Sequence, residues 1–273
     1  MDQYKHYYCG QCKRYIQPYT QQPYTQQPII VQPPKATSVS AIVAGIVIFI
    51  VAIILIYAVA SSLNVSIPDD QDDNEATQLG TFYRDYSWDY GGYPWSWDLN
   101  IPKQSYYEYE GRYRTLNFEY YVTENDPYII SLANGLADAA RSKGYGSYET
   151  VSFVMAFVQS LPYTSDSVTT SYDEYPRYPV ETLVDNGGDC EDTSILFAAL
   201  LEAYPLGYDA VLFLIPWDSP NHMAVGVWGS SNLGAYVEHD GREYNYCETT
   251  GDGFKIGEIP QEYEGISVQV IEV

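Results

Sequence analysis

The longest apolar run in the chain extends from Val39 to Leu63, and no charged residue occurs between Lys35 and Asp69. At a rise of about 1.5 Å per residue, such a run crosses a hydrocarbon core of about 30 Å. Its Ile and Val content disfavours a helix in water but matters less in lipid, where every backbone group must be paired within the segment. The run is apolar all round and too long for a buried core helix. A cleaved leader would be shorter and nearer the start. The predicted element is a single transmembrane helix over 39–63. Further on, Trp95, Trp97, Leu99 and Ile101 alternate with polar residues, predicting a strand with one buried face. Asp126-Pro127 supplies a cap and a first-turn proline for a helix whose stripe is Ile129, Ile130, Leu132, Ala133, Leu136, Ala137 and Ala140, ended by Gly144. Ser147 caps a second helix, with Val151, Val154, Met155, Val158 and Leu161 inward and Pro162 as its stop. A Tyr/Asp/Pro-rich loop is predicted over 163–182. After it, Asn186–Ala203 holds a helix that is apolar on every side from Ile195 to Leu201 and therefore central. Strands follow at Ala210–Ile215 and from His222 onward. Asp240-Gly241 marks a hairpin turn, and Arg242–Cys247 is the return strand.

Five segments result: a CxxC segment at 1–16, a Pro/Gln-rich linker at 17–38, the span at 39–63, an acidic stalk at 64–81, and a folded domain at 82–273. The linker repeats PYTQQ at Pro18–Gln22 and Pro23–Gln27 and has no apolar period, so it reads as an extended spacer. Charge changes the picture by orienting the span. Residues 1–35 carry Lys5, Lys13, Arg14 and Lys35 against Asp2, a balance of +3, so the rest of this −23 chain carries −26. Basic residues stay cytoplasmic, which puts the large domain outside. The acidity excludes a general nucleic-acid binder, which must neutralise phosphates. Asn64-Val65-Ser66 is a glycosylation sequon on the outer side, close to the membrane. The stalk reads as a solvated tether, since no glycine stands where a tight calcium loop needs one. The outer domain calls for no cofactor. Zinc at Cys9 and Cys12 is the one metal the sequence offers. With His6 that site has at most three ligands, so a full tetrahedral set needs a second chain.

The chemistry gathers in NGGDCEDTSILFAALLEA, Asn186 to Ala203. Gly187 and Gly188 permit a tight turn, and Cys190 follows at a helix start, where the helix dipole favours thiolate. Asp189, Glu191 and Asp192 oppose that ionisation, so the thiol needs a positive partner. His222, at the start of a strand, is the candidate. Glu248, at the end of the return strand, could accept a hydrogen bond from it and fix its tautomer. Against this, a cysteine is often a small buried hydrophobe, and a Cys190–Cys247 disulfide would silence the thiol. His239, beside the hairpin turn, reads as a surface residue.

The stretches GGDCEDTSILFAALL, NHMAVGV and YCETTGDGFKIGEIP, in this order, resemble the transglutaminase-like superfamily of cysteine enzymes, and its membrane-anchored archaeal members in particular. The resemblance covers about residues 82–260. It implies an α+β fold of papain/transglutaminase-like core, with a central helix bearing the cysteine packed on an antiparallel sheet bearing the histidine and the acid. It also implies acyl transfer through a thioester on a peptide or protein substrate outside the membrane. Cys190 takes the place of the nucleophile, His222 that of the base and then acid, and Glu248 that of the third member. The commoner residue in that third place is Asp, so Asp240 and Asp252 stand as substitutes. The Cys190 backbone N–H would meet the oxyanion, with Gln159 or Tyr163 as candidate second donors. A non-catalytic surface module that retains this fold is the alternative.

Overall fold

The computed structural model describes residues 7–9, 14–16, 80–166, 175–215, 222–229 and 233–273. Strands β1 (Tyr7–Cys9) and β2 (Arg14–Ile16) pair antiparallel, with Cys9 opposite Arg14. Cys12, the linker, the predicted span at 39–63 and the stalk up to residue 79 lie outside the described residues. Among the described residues, no helix is long and apolar enough to cross a membrane.

The aromatic opening of the folded domain is a hairpin rather than one strand. β3 (Thr81–Tyr90) pairs along its whole length with β4 (Tyr93–Pro102). Gly91 (φ 62°) and Gly92 (φ 79°) turn the corner, and two successive positive φ values are what a tight two-residue hairpin turn requires. The alternation predicted for β4 holds, and Leu99 and Ile101 share their buried face with Tyr86 and Trp88 of β3. A short helix, α1 (Lys103–Glu110), follows at once.

Helix α2 (Pro127–Lys143) begins as its sequence predicts. The Asp126 carboxylate accepts from the amides of Tyr128 (2.8 Å) and Ile129 (3.3 Å), and Gly144 closes the helix at φ 72°. Helix α3 (Ser147–Gln159) is capped by Gly146 rather than by Ser147, which is already its first helical residue. It ends before Pro162, and Leu161 packs into the core just after it. The predicted loop at 163–182 contains the start of another helix, α4 (Pro179–Asp185), with Pro179 at its first position. Glu181 ties its N-terminus by accepting from the Tyr178 amide at 2.9 Å.

Helix α5 (Cys190–Glu202) is central, as its sequence predicts: Ile195–Leu201 are entirely buried. It contacts α2, α3 and α4, and also β5 (Ala210–Ile215) and β6 (His222–Trp228). The sheet is completed by β7 (Tyr236–His239), β8 (Arg242–Cys247) and β9 (Gln269–Glu272). Its order is β7-β8-β6-β5-β9, every neighbouring pair antiparallel. Asp240 (φ 49°) and Gly241 (φ 74°) make the predicted β7–β8 turn. Alternation sorts the sheet residues into two cores. Leu212, Met223, Val225 and Cys247 join the large core around α5, whereas Phe213, Ala224 and Tyr246 form a smaller core with Tyr263, which lies between β8 and β9. Gly226 is needed on β6, because a Cβ there would stand 2.3 Å from the Phe213 ring.

Candidate active site

The site begins with two glycines. Gly187 sits at φ 150°, and a Cβ on it would meet the Pro162 carbonyl oxygen at 2.4 Å. A Cβ on Gly188 would meet the Asp192 carboxylate at 2.5 Å. The close approach lets Thr164 N donate to Gly188 O (2.9 Å) and Gly188 N to Pro162 O (3.3 Å). The segment after α3 is thereby pinned alongside the turn that presents Cys190 as the first residue of α5. Cys190 is partly exposed and is not in a disulfide. Its Sγ donates to Glu191 Oε2 at 3.3 Å.

His222, the first residue of β6, is buried at 3% exposure, and its Nε2 lies 2.9 Å from Glu248 Oε2. Glu248 follows β8 and is held on both oxygens. Oε2 also accepts from the Tyr246 hydroxyl (2.9 Å), while Oε1 accepts from Thr250 N (3.0 Å) and Thr250 Oγ1 (2.7 Å). Burial pushes the Glu248 carboxyl up, but the hydrogen bond and charge of His222 and the Thr250 donors outweigh it and bring it down to about 2. Glu248 is therefore an acceptor only, so the His222 nitrogen facing it carries a proton, and in the neutral imidazole the lone pair is on Nδ1. The substitutes are elsewhere: Asp240 is exposed in the β7–β8 turn, and Asp252 is exposed on the loop after Glu248.

Three contacts tie the helix of Cys190 to the strand of His222 and the loop of Glu248. Ser194 Oγ donates to the carbonyl of Met223, next to His222, at 3.1 Å. Thr249, next to Glu248, shares its hydroxyl with Thr193 (3.0 Å) and Ser194 (3.1 Å). The Tyr263 ring lies flat on the His222 ring, with centroids 4.5 Å apart and planes 6° apart. Burial, followed by the charges of Cys190 and Glu248, pushes the Tyr263 phenol up, so one tyrosine feels all three site groups.

Gln159 is not an available oxyanion donor. Its amide nitrogen donates to the carbonyls of Glu248 (2.8 Å) and Phe254 (3.2 Å), which anchors the loop carrying Glu248. Tyr163 is 44% exposed and bridges Gly188 in parallel. Burial, then the neighbouring Cys190, pushes its phenol up. Cys247 is a fully buried free thiol on β8, pushed up by burial and then by Glu248. His239 lies at the surface and reaches Glu272 at 3.1 Å.

Sequence reasoning missed a buried ion cluster behind Cys190. Arg177, 1% exposed, reaches Asp166 (2.8 Å), Asp185 (3.1 Å) and Asp192, and its amide donates to Asp192 Oδ1 at 2.7 Å. The signal available was an arginine inside an otherwise acidic loop. Nearby, oxygens of Asp166, Asp189 and Glu191, all buried, lie within 4.8 Å of one another and could hold a cation.

No family model matches the sequence, and no curated protein does either. Among solved structures, the chain is similar to Legionella pneumophila LapG in its calcium-bound form, at 18% identity over 61% of this chain and 80% of that one, with a TM-score of 0.34. It is also similar to a TGase, at 13% identity over 73% of this chain and 52% of that one, with a TM-score of 0.33. These are distant likenesses; the chemistry rests on the residues.

Proposed function

We propose that the chain is a membrane-anchored, cysteine-dependent acyl-transfer enzyme acting on an extracytoplasmic peptide or protein. One observation carries the reading. A buried His222–Glu248 pair at 2.9 Å stands on a strand and loop that are hydrogen-bonded to the first turns of the helix that Cys190 begins. Buried imidazole–carboxylate pairs of this kind orient a base and stabilise its protonated form. Cys190 attacks an acyl carbon, and the thiol proton passes to His222 Nδ1. His222 then returns the proton to the departing amine, leaving a thioester on Cys190. Water or a second amine resolves the thioester and frees Cys190. The Cys190 amide, at the start of α5, is one donor for the oxyanion. The anchor rests on the apolar run at 39–63, and the outward placement on the basic residues before it.

Acylation of Cys190 tests the reading. Incubation with a p-nitrophenyl ester, followed by mass spectrometry of the intact chain, should show one acyl group on Cys190 that is absent from Cys190→Ala and strongly slowed in His222→Ala. A Cys190 that acylates no faster than a small-molecule thiol, and is indifferent to His222→Ala, would instead support the binding-module alternative.

A further inference from the structure

Strand alternation sends Cys247 into the large core and Tyr246 to the opposite face of β8. The Tyr246 ring is buried and has a fixed seat there. It stacks on Phe213, with centroids 6.4 Å apart and planes 17° apart. Its backbone is held on both sides: Tyr246 N donates to Ala235 O at 3.0 Å, and Tyr246 O accepts from Gly257 N at 2.7 Å. The hydroxyl is thereby aimed at Glu248 Oε2, 2.9 Å away, the same oxygen that lies 2.9 Å from His222 Nε2. Thr250 supplies two donors to the other oxygen. A carboxylate offers about four acceptor sites, so those of Glu248 are all taken. Burial, then the charge and hydrogen bond of Glu248, push the Tyr246 phenol up, so it stays a donor across the neutral range. Any acceptor would satisfy a buried phenol. This phenol takes the oxygen that faces the base.

We propose that Tyr246 is a positioning residue for acyl transfer: it holds Glu248 Oε2 against the imidazole and, by competing for that oxygen, limits how strongly the carboxylate stabilises the imidazolium. The inference rests on the acyl-transfer reading. His222 must first take the thiol proton and then release it to the departing amine, so an imidazolium held too tightly is a poor acid. Without the hydroxyl, Oε2 serves His222 alone, and the protonated ring persists to higher pH. The other titratable groups around the pair do not oppose this sign. Tyr263, stacked on the imidazole, and Cys247, beside Glu248, are both pushed up by burial. Glu262, whose charge reaches Tyr263, is exposed. Cys190, whose charge also reaches Tyr263, is unchanged by the substitution.

The test is Tyr246→Phe in the full-length chain, which keeps the ring and its stack on Phe213. Two readouts are followed: the ¹⁵N titration of His222, identified by its loss in His222→Ala, and the pH profile of Cys190 acylation by a p-nitrophenyl ester. The titration and the acid limb of the profile should both move to higher pH by about half a unit or more, a threefold or larger loss of rate on the acid side. A hydroxyl with only a structural role would lower the rate equally at every pH and move neither midpoint. Tyr244→Phe is the control, because it removes a phenol–carboxylate bond of 2.9 Å, to Asp209, from the same strand. Its two midpoints should stay at the wild-type positions. The proposal is overturned if both midpoints in folded Tyr246→Phe stay in place or move to lower pH, or if Tyr244→Phe moves them equally. The titration needs no substrate. A shifted titration in a chain whose Cys190 never acylates would therefore sink the acyl-transfer reading alone.

Discussion

Glu248→Gln separates a charged orienter from a merely space-filling one. The side chains are nearly isosteric, so the change acts through hydrogen-bond polarity. Thr250 presents two donors to Oε1, at 3.0 and 2.7 Å, and so holds the glutamine's carbonyl oxygen on that side. The glutamine NH2 must then face His222 Nε2, where the wild type has a carboxylate oxygen at 2.9 Å. Two N–H groups cannot share that contact, so the imidazole shifts its proton to Nδ1 and no longer offers a base there. The Tyr246 hydroxyl, 2.9 Å from the same position, must turn from donor to acceptor. Acylation of Cys190 should fall by about 10²–10⁴-fold, the contribution of a positioned general base. Stability should fall by about 1–3 kcal/mol, the cost of disturbing buried hydrogen bonds. The assay pairs the rate of p-nitrophenyl ester acylation with the ¹⁵N shifts of His222, which report the tautomer. A folded Glu248→Gln that acylates at the wild-type rate with an unchanged tautomer would refute the reasoning.

Acid should act on the same pair. The Glu248 carboxyl lies at about 2 in the fold against an ordinary 4.5, so its stabilisation is present above about 4.5 and is lost as pH falls toward 2. At about 1.36 kcal/mol per unit this is on the order of 3 kcal/mol, and the melting gap between wild type and Glu248→Gln should close between pH 5 and 2. Tyr263→Ala should uncover the His222 ring and cost about 3–5 kcal/mol by denaturant unfolding, whereas Tyr263→Phe, which keeps the stack at 4.5 Å, should retain most acylation. Gly226→Ala should lower stability by about 1–3 kcal/mol in the same assay, because its Cβ would fall 2.3 Å from the Phe213 ring.

Much of the fold was legible in the sequence because its signals are local. Asp126-Pro127 and Gly144 bracket α2, the all-round apolar run at Ile195–Leu201 marks the central helix, and Asp240-Gly241 gives the hairpin. Gly91-Gly92 was an equally local signal, but the aromatic residues on both flanks hid the two strands it joins. Helix α4 escaped notice because Pro179 and Glu181, both helix-start residues, lie in a segment whose Tyr, Asp and Pro content reads as loop. The proximity of His222 to Glu248 followed from the family resemblance and the order of strands. The Tyr263 stack and the Arg177 cluster had no such guide. The stack joins residues distant in sequence, and although the Arg177 cluster is confined to 166–192, no periodicity announces which buried charge will meet which.

Cys190 and Cys247, the two cysteines of the folded domain, differ in one respect with a practical consequence. Cys190 is partly exposed at a helix start, while Cys247 is sealed in the sheet, one residue before Glu248. Within that domain a thiol reagent therefore reads two clocks. The fast one times the reactivity of the site. The slow one ticks only when β8 leaves its neighbours, so it dates the opening of the strand that carries the acid. Any variant that slows the first clock and leaves the second alone has altered chemistry, and one that quickens the second has loosened the sheet.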